Sequence, residues 1–364
     1  MEIVTFVKDM QNICDQVRRD GREIRFVPTM GALHMGHASL IKRARHDRID
    51  TNTADIDSAA DLGDSRSKLK LGEAEKSPVV IVSIFVNPRQ FNNSTDFATY
   101  PKDWYADLDI CRQTGVDLVF SPSTEEMYCK DAHDQCSIRP PANLANVLEG
   151  RSRPGHFEGM LTIVNKLFNI IRPHSAYFGE KDYQQLMLVS KMVEDLNLGT
   201  DIFPVGTVRE HDLLPLSSRN VRLSASQRRS APLMCKILRD AKHALESESP
   251  NKNEIDLTIM ASMLATTTIS LVIDTFELIE VDYLDLRCSR DFSSVSYKPG
   301  CGFFDCQEDC VKRQLGICND LVIKTRLLIS IVIGEVRLLD NIEVKLNQRE
   351  VIRQLRSSAS TALY

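Results

Sequence analysis

The positions with the densest chemistry in this chain of 364 residues are Pro28-Thr29-Met30-Gly31-Ala32-Leu33-His34-Met35-Gly36-His37. They follow a short apolar run at 24–27, so a turn, two glycines and two imidazoles fall where a strand hands over to a helix. Backbone N–H groups at a helix start bind anions, and imidazoles beside them can donate hydrogen bonds to charge developing on a phosphate. A metal fragment is a competing use of the His34/His37 pair, but no carboxylate or third histidine stands nearby in sequence to complete a ligand set. Two exposed surface histidines are the plain alternative. Neither G-x-G-x-x-G nor G-K-[ST] occurs, so a nucleotide here is held by another class of loop.

Two more loops carry related chemistry. Gly179-Glu180-Lys181-Asp182 follows an apolar run at 176–178; a lysine there is either a solvated charge or a point charge reaching a nucleotide phosphate. Leu216-Ser217-Ser218-Arg219-Asn220 puts two hydroxyls, a guanidinium and an amide in one loop. Alone it is a turn and helix cap; facing the other two loops it becomes a phosphate clamp. Gln90, in Asn87-Pro88-Arg89-Gln90-Phe91, and Gln185 are neutral amides suited to a small polar substrate carrying hydroxyl and carboxyl groups. Asp107 reads either as a magnesium carboxylate, reached through phosphate or water, or as a solvated helix residue.

The elements that must position these groups alternate. Helices are expected at 3–20, 38–45, 103–113, 159–171 and 184–196, and strands at 24–27, 79–86, 116–120, 176–178 and 202–208. The run at 79–86 is almost continuously β-branched, as in a strand covered on both faces. This alternation predicts an α/β fold with a Rossmann-like, doubly wound parallel sheet, whose ligands sit beyond the C-terminal strand ends where these loops lie. From about residue 208 the pattern changes to helices at 227–246 and 254–269 and strand-rich stretches at 277–286 and 320–333. The expected organisation is a nucleotide- and substrate-binding domain over 1–207 and a smaller α+β lid domain over 208–364. A polar insertion at about 47–77 interrupts the first domain and a cysteine-rich one at about 288–319 the second.

Composition narrows the class. A net charge of −5 gives no electrostatic reason to expect nucleic acid. No apolar run approaches the roughly 18 residues of a membrane helix, and Met1-Glu2 followed by Lys8 and Asp9 is not a secretory signal, so a cytoplasmic protein is expected. Of ten cysteines, five fall between positions 288 and 318 and five are scattered, which fits reduced thiols better than a disulfide framework. Cys301, Cys306, Cys310 and Cys318 lack the tight C-x2-C pairs of a zinc site.

Taken together, these residues resemble the pantothenate synthetase (pantoate–β-alanine ligase) family of HIGH-type nucleotidyltransferases. The resemblance runs through segments 27–41, 82–91, 153–188, 208–220, 280–286 and 337–341, and includes Arg153-Pro154-Gly155-His156-Phe157. It implies an AMP-forming ligase, a homodimer using ATP with Mg2+, in which the pantoate carboxylate attacks the α-phosphate and β-alanine then takes the acyl group from pantoyl adenylate. Carried over by position, Met30 to His37 line the ATP site, with His34 and His37 on the phosphates and His37 the proton donor. Lys181, Ser217, Ser218 and Arg219 hold phosphates, with Glu180 and Leu216 beside them; Gly179, Asp182 and Val208 frame the adenosine. Asn87, Gln90 and Gln185 bind pantoate or β-alanine. Another HIGH-type nucleotidyltransferase acting on a phosphorylated substrate is disfavoured by the neutral Gln90 and Gln185; a catalytically weak homologue kept for binding or scaffolding is the other alternative. Against the family pattern, Asp212-Leu213-Leu214-Pro215 stands where Asp-Gly-Leu-Ala is usual, losing a residue free to take φ > 0. His174 stands where an aspartate is usual, as a surface change.

Overall fold

The fold, a computed structural model, describes residues 1–47, 76–92, 94–128, 136–246, 279–289, 292 and 322–347. The two predicted insertions, apart from their margins, and the helix expected at 254–269 lie outside these residues. The chain divides into two compact units, Met1–Glu180 with Gln184–Gly206, and Lys181–Tyr183 with Thr207–Tyr364.

The first unit is built on β1 (Glu2–Val4), β2 (Ile24–Thr29), β3 (Val79–Ile84), β4 (Leu118–Phe120), β5 (Ser175–Gly179) and β6 (Asp201–Val205). All pairings are parallel and the order is β1-β4-β3-β2-β5-β6. The chain winds outward from β2 through β3 to β4, then restarts at β5 and winds the other way, so the direction switches between the neighbours β2 and β5. Such a sheet opens a crevice at the carboxyl ends of the strands flanking the switch. Every residue of β3 is buried, as its β-branched run requires. On one face, α2 (Met35–His46) and α3 (Trp104–Gln113) lay Leu40, Ile41, Leu108 and Cys111 over Val27, Val80, Val82 and Tyr177. On the other, Phe168 of α4 (His156–Ile171) meets Phe26 and Phe178 edge-on at 6.3 and 6.4 Å. Two further helices are α1 (Val7–Arg19) and α5 (Tyr183–Asp195).

Several boundaries differ from expectation for local reasons. Val4, expected in the first helix, instead lies in β1 opposite Phe120; three residues are too few to show a strand's period. Helix α2 begins at Met35 rather than 38, because His34 caps it. The single helix expected at 227–246 is two, α6 (Ala225–Ser230) and α7 (Leu233–Glu246). Pro232 lies between them, without the N–H that would continue the ladder. His174 is exposed, but its Nδ1 accepts from the Ile24 N–H at 2.9 Å, closing the start of β2 against β5.

The second unit carries an antiparallel sheet of β7 (Ile279–Cys288), β8 (Val322–Ile333) and β9 (Val336–Asn347). Met234, Ile237, Leu238, Ala241 and Leu245 form the apolar stripe of α7, and it packs on Ile329, Ile331, Leu338 and Val344 of that sheet. No helix among the described residues is long and apolar enough to cross a membrane.

Candidate active site

The turn after β2 is held from both sides. Thr29 Oγ1 donates to the Ser83 carbonyl at 2.6 Å and accepts from Gly31 N at 3.2 Å. Gly31 (φ 80) and Ala32 (φ 50) are both left-handed. The N–H groups of Ala32 and Leu33 turn back to Asp107 on α3, reaching its Oδ2 at 3.0 Å and Oδ1 at 2.6 Å. Asp107 is only 3% exposed; burial pushes its carboxyl above the usual range, while the two backbone donors pull it back. The reading of Asp107 as a solvated helix residue is therefore corrected: each of its oxygens accepts a backbone N–H, and it holds the shape of the turn after β2.

His34 and His37 are the cap of α2. The Gly36 N–H donates to His34 Nδ1 at 3.1 Å, and the His34 N–H donates to His37 Nδ1 at 3.3 Å. Each Nδ1 is thus an acceptor, so each neutral ring carries its proton on Nε2. The rings sit 4.2 Å apart between centroids. The result is a pair of N–H donors at a helix N-terminus, whose dipole favours negative charge, beside the sheet's switch point.

Gln90 joins this loop through its amide nitrogen, which contacts Met30 Sδ. Asn87 fixes which way the Gln90 amide faces. Its Oδ1 accepts from Arg89 N at 3.3 Å and Tyr128 Oη at 2.7 Å, and its Nδ2 donates to the Gly159 carbonyl at 3.1 Å. Because the backbone partners cannot exchange roles, Nδ2 also donates to Gln90 Oε1 at 3.1 Å, leaving Gln90 Nε2 as the donor on the Met30 side. Asn87 is 1% exposed, and it supports Gln90 from behind. Gln185 is half-buried on α5. Its neighbour Gln184 is structural, accepting from Glu149 N and donating to the Leu144 and Val147 carbonyls.

Gly179 ends β5 and Glu180 follows it in the first unit, whereas Lys181–Tyr183 group with the second. Asn341 Nδ2 donates to the Lys181 carbonyl at 2.9 Å, and Arg326 holds the other end of that amide at 3.0 Å. Lys181 Nζ lies 3.3 Å from Asp182. In the same unit the Leu216 N–H donates to the Val208 carbonyl, and Arg209 bridges to Pro215. Ser217 Oγ accepts from the Arg219 N–H, and Ser217, Ser218 and Arg219 are all half-buried. Leu213 keeps the backbone a glycine would have, at φ 73. Its carbonyl is gripped by Arg209 Nη1 at 3.0 Å and Cys235 Sγ at 3.2 Å, and Arg228 clamps Glu210 and Asp212 at 2.7 and 2.6 Å. Asp340, buried, forks Arg209 at 2.7 and 2.8 Å.

Reading the sequence missed Tyr128, His156, Arg209, Arg326, Asp340 and Asn341 as site supports. His156, Arg209, Asp340 and Asn341 fell inside segments that carry the resemblance, the only signal available for them. Among the described residues no cluster of three or more His, Cys, Asp or Glu could hold a metal ion.

A parallel sheet that switches direction beside a histidine-capped helix start defines an α/β protein with a Rossmann-like, doubly wound fold. The family model described as pantoate-beta-alanine ligase matches residues 2–53 and 67–343, and the chain belongs to that family. Residues 54–66, between the two matched stretches, fall within the predicted insertion at 47–77. A pantothenate synthetase of Clostridium botulinum (strain Kyoto / Type A2) is 39% identical over 295 residues, 81% of this chain and 90% of the relative. One from Aquifex aeolicus is 46% identical over 62% of this chain and 68% of its own length. The crystal structure of pantothenate synthetase from Thermus thermophilus matches with a TM-score of 0.70 at 30% identity, over 94% of this chain and 99% of that one. A pantoate-beta-alanine ligase from Francisella tularensis, solved in complex with beta-gamma ATP and β-alanine, matches with a TM-score of 0.62 at 32% identity, over 94% and 97%.

Proposed function

We propose that this chain condenses (R)-pantoate with β-alanine at the expense of ATP. The pantoate carboxylate attacks the α-phosphorus, pyrophosphate leaves, and the β-alanine amine then displaces AMP from pantoyl adenylate to give pantothenate. The observation that carries this reading is the His34/His37 cap, which aims two Nε2–H donors from a helix N-terminus. Fixed donors of this kind stabilise charge that grows on phosphate oxygens in the transition state, and His37 is the proton donor. Met30 to Leu33, Met35 and Gly36 line the ATP site. Lys181, Ser217, Ser218 and Arg219 hold phosphates, Glu180 and Leu216 flank them, and Gly179, Asp182 and Val208 frame the adenosine. Gln90 and Gln185 take pantoate, with Gln90 offering an N–H to an acceptor oxygen. Mg2+ enters with ATP, and Asp107, beside the loop, is the carboxylate that would meet it through phosphate or water. We further propose a homodimer working in the cytoplasm.

The test is AMP formation from ATP that requires both pantoate and β-alanine. Protein that binds ATP but makes no AMP with both present would sink the ligase reading. His37→Ala and Lys181→Ala should each cut kcat about 100-fold or more, with the melting temperature held in Lys181→Ala and lowered by a few degrees in His37→Ala for its lost cap bond; near-normal turnover in either removes that residue's role.

A further inference from the structure

We propose that segment 153–159 is the positioning device for Gln90, and that His156 sets the affinity for pantoate without touching it. The inference rests on the reading of Gln90 as a pantoate contact. Three bonds converge on the 87–90 loop from this segment. His156, 8% exposed, has its Nε2 3.2 Å from Arg153 Nη1 and its Nδ1 2.8 Å from the Gln90 carbonyl. A guanidinium can only donate, so Nε2 accepts, Nδ1 bears the ring proton, and that proton is given to Gln90 O. Arg153 is steadied by Glu149 at 4.0 Å and also approaches Gln90 O, at 3.5 Å. One turn further on, the Gly159 carbonyl receives Asn87 Nδ2.

Gly159 has a steric part as well. A Cβ there would stand 2.2 Å from the Arg89 carbonyl oxygen and 2.9 Å from Gln90 N, so the helix backbone lies directly on the loop. The Gln90 backbone is therefore seated by His156 and Gly159, and its amide is oriented by Asn87, whose own orientation Gly159 and Tyr128 dictate. All these groups belong to the first unit. The site presents a donor at Gln90 only while this mould holds, which makes the segment a determinant of recognition for the substrate's acceptor oxygen.

Steady-state kinetics on the full chain test this. His156→Phe keeps a ring but loses the donor, and should raise KM for pantoate about tenfold, with KM for ATP changed less than about twofold. His156→Asn, whose amide N–H can take the place of Nδ1–H, should return the pantoate KM to within about threefold of the parent. Arg153→Met leaves His156 but frees its tautomer, and should raise the same KM about threefold; it stands in should His156→Phe not fold. An unchanged pantoate KM in the ring variant, or equal rises for pantoate and ATP, overturns the positioning role if Gln90→Ala raises the pantoate KM. If Gln90→Ala leaves it unchanged, the reading of Gln90 itself fails.

Discussion

Replacing Gly31 with alanine tests how the turn after β2 is built. Gly31 sits at φ 80, and a Cβ there would lie 2.9 Å from Asp107 Oδ2 and 3.2 Å from Ile84 Cγ2. The left-handed backbone alone costs an L-residue about 1–2 kcal/mol. Relieving the contact moves the carboxylate that receives Ala32 N and Leu33 N, each worth about 1 kcal/mol net. Together the loss is about 3 kcal/mol, or a fall in melting temperature of about 6–12 °C for a domain of this size. Thermal unfolding followed by circular dichroism, with and without saturating ATP, measures it. Asp107→Ala should cost about 2 kcal/mol through the same two bonds, and it removes the atom the new Cβ strikes. The double variant should then lose less than the sum of the singles, by about 1–2 kcal/mol. Strictly additive losses, or a Gly31→Ala melting point within about 1 °C of the parent, would refute this account of the loop.

Leu213→Gly should be nearly neutral: relief of about 1–2 kcal/mol of backbone strain is offset by glycine's chain entropy, about 0.5–1 kcal/mol, and by about 1 kcal/mol of lost packing on the second unit's core. A shift beyond about 2 kcal/mol in chemical denaturation would contradict that balance. Hydrogen bonding by Arg228 holds Asp212 below the usual carboxylate range. Its contribution is present above its unfolded value near pH 4 and disappears as pH falls through the lower folded one. Because the pair is partly exposed, the gain is below about 1 kcal/mol, and Arg228→Met should flatten the acid limb of the stability curve below about pH 4; an identical limb rejects the pairing. Burial raises the thiols of Cys14, Cys111 and Cys235 to about 11, 12 and 12, whereas Cys136 is exposed. Peptide-mapped alkylation at pH 8 should label Cys136 well before those three, and equal rates would refute their burial.

What the sequence disclosed and what it hid follow from range. The β-branched run of β3, the stripe of α7 and the turn after β2 are local patterns, and they were legible. Pro232 was a local signal too, visible in sequence but not given its weight. Asp107 was misread because its partners lie 74 and 75 residues away, and nothing in its own helix announces them. The support Asn87 gives Gln90 is hidden in the sequence because the Tyr128 and Gly159 bonds that orient it come from 41 and 72 residues away. The regular placement of Leu213 was invisible for another reason: the grip of Arg209 and Cys235 on its carbonyl supplies what glycine would have given freely.

The membership of Lys181–Tyr183 in the second unit bears on how the protein can be divided. The chain leaves the first unit after Glu180, returns at Gln184 and leaves again after Gly206. A fragment ending at Gly206 would keep Lys181 but not Asn341, whose amide receives its support from Arg326. The first unit is thus not a self-contained module that can be cut out or exchanged. A chimera joined at 206/207 would seat one parent's Lys181 on the other parent's β9, so its success depends on matching residue 341 rather than on the quality of the junction.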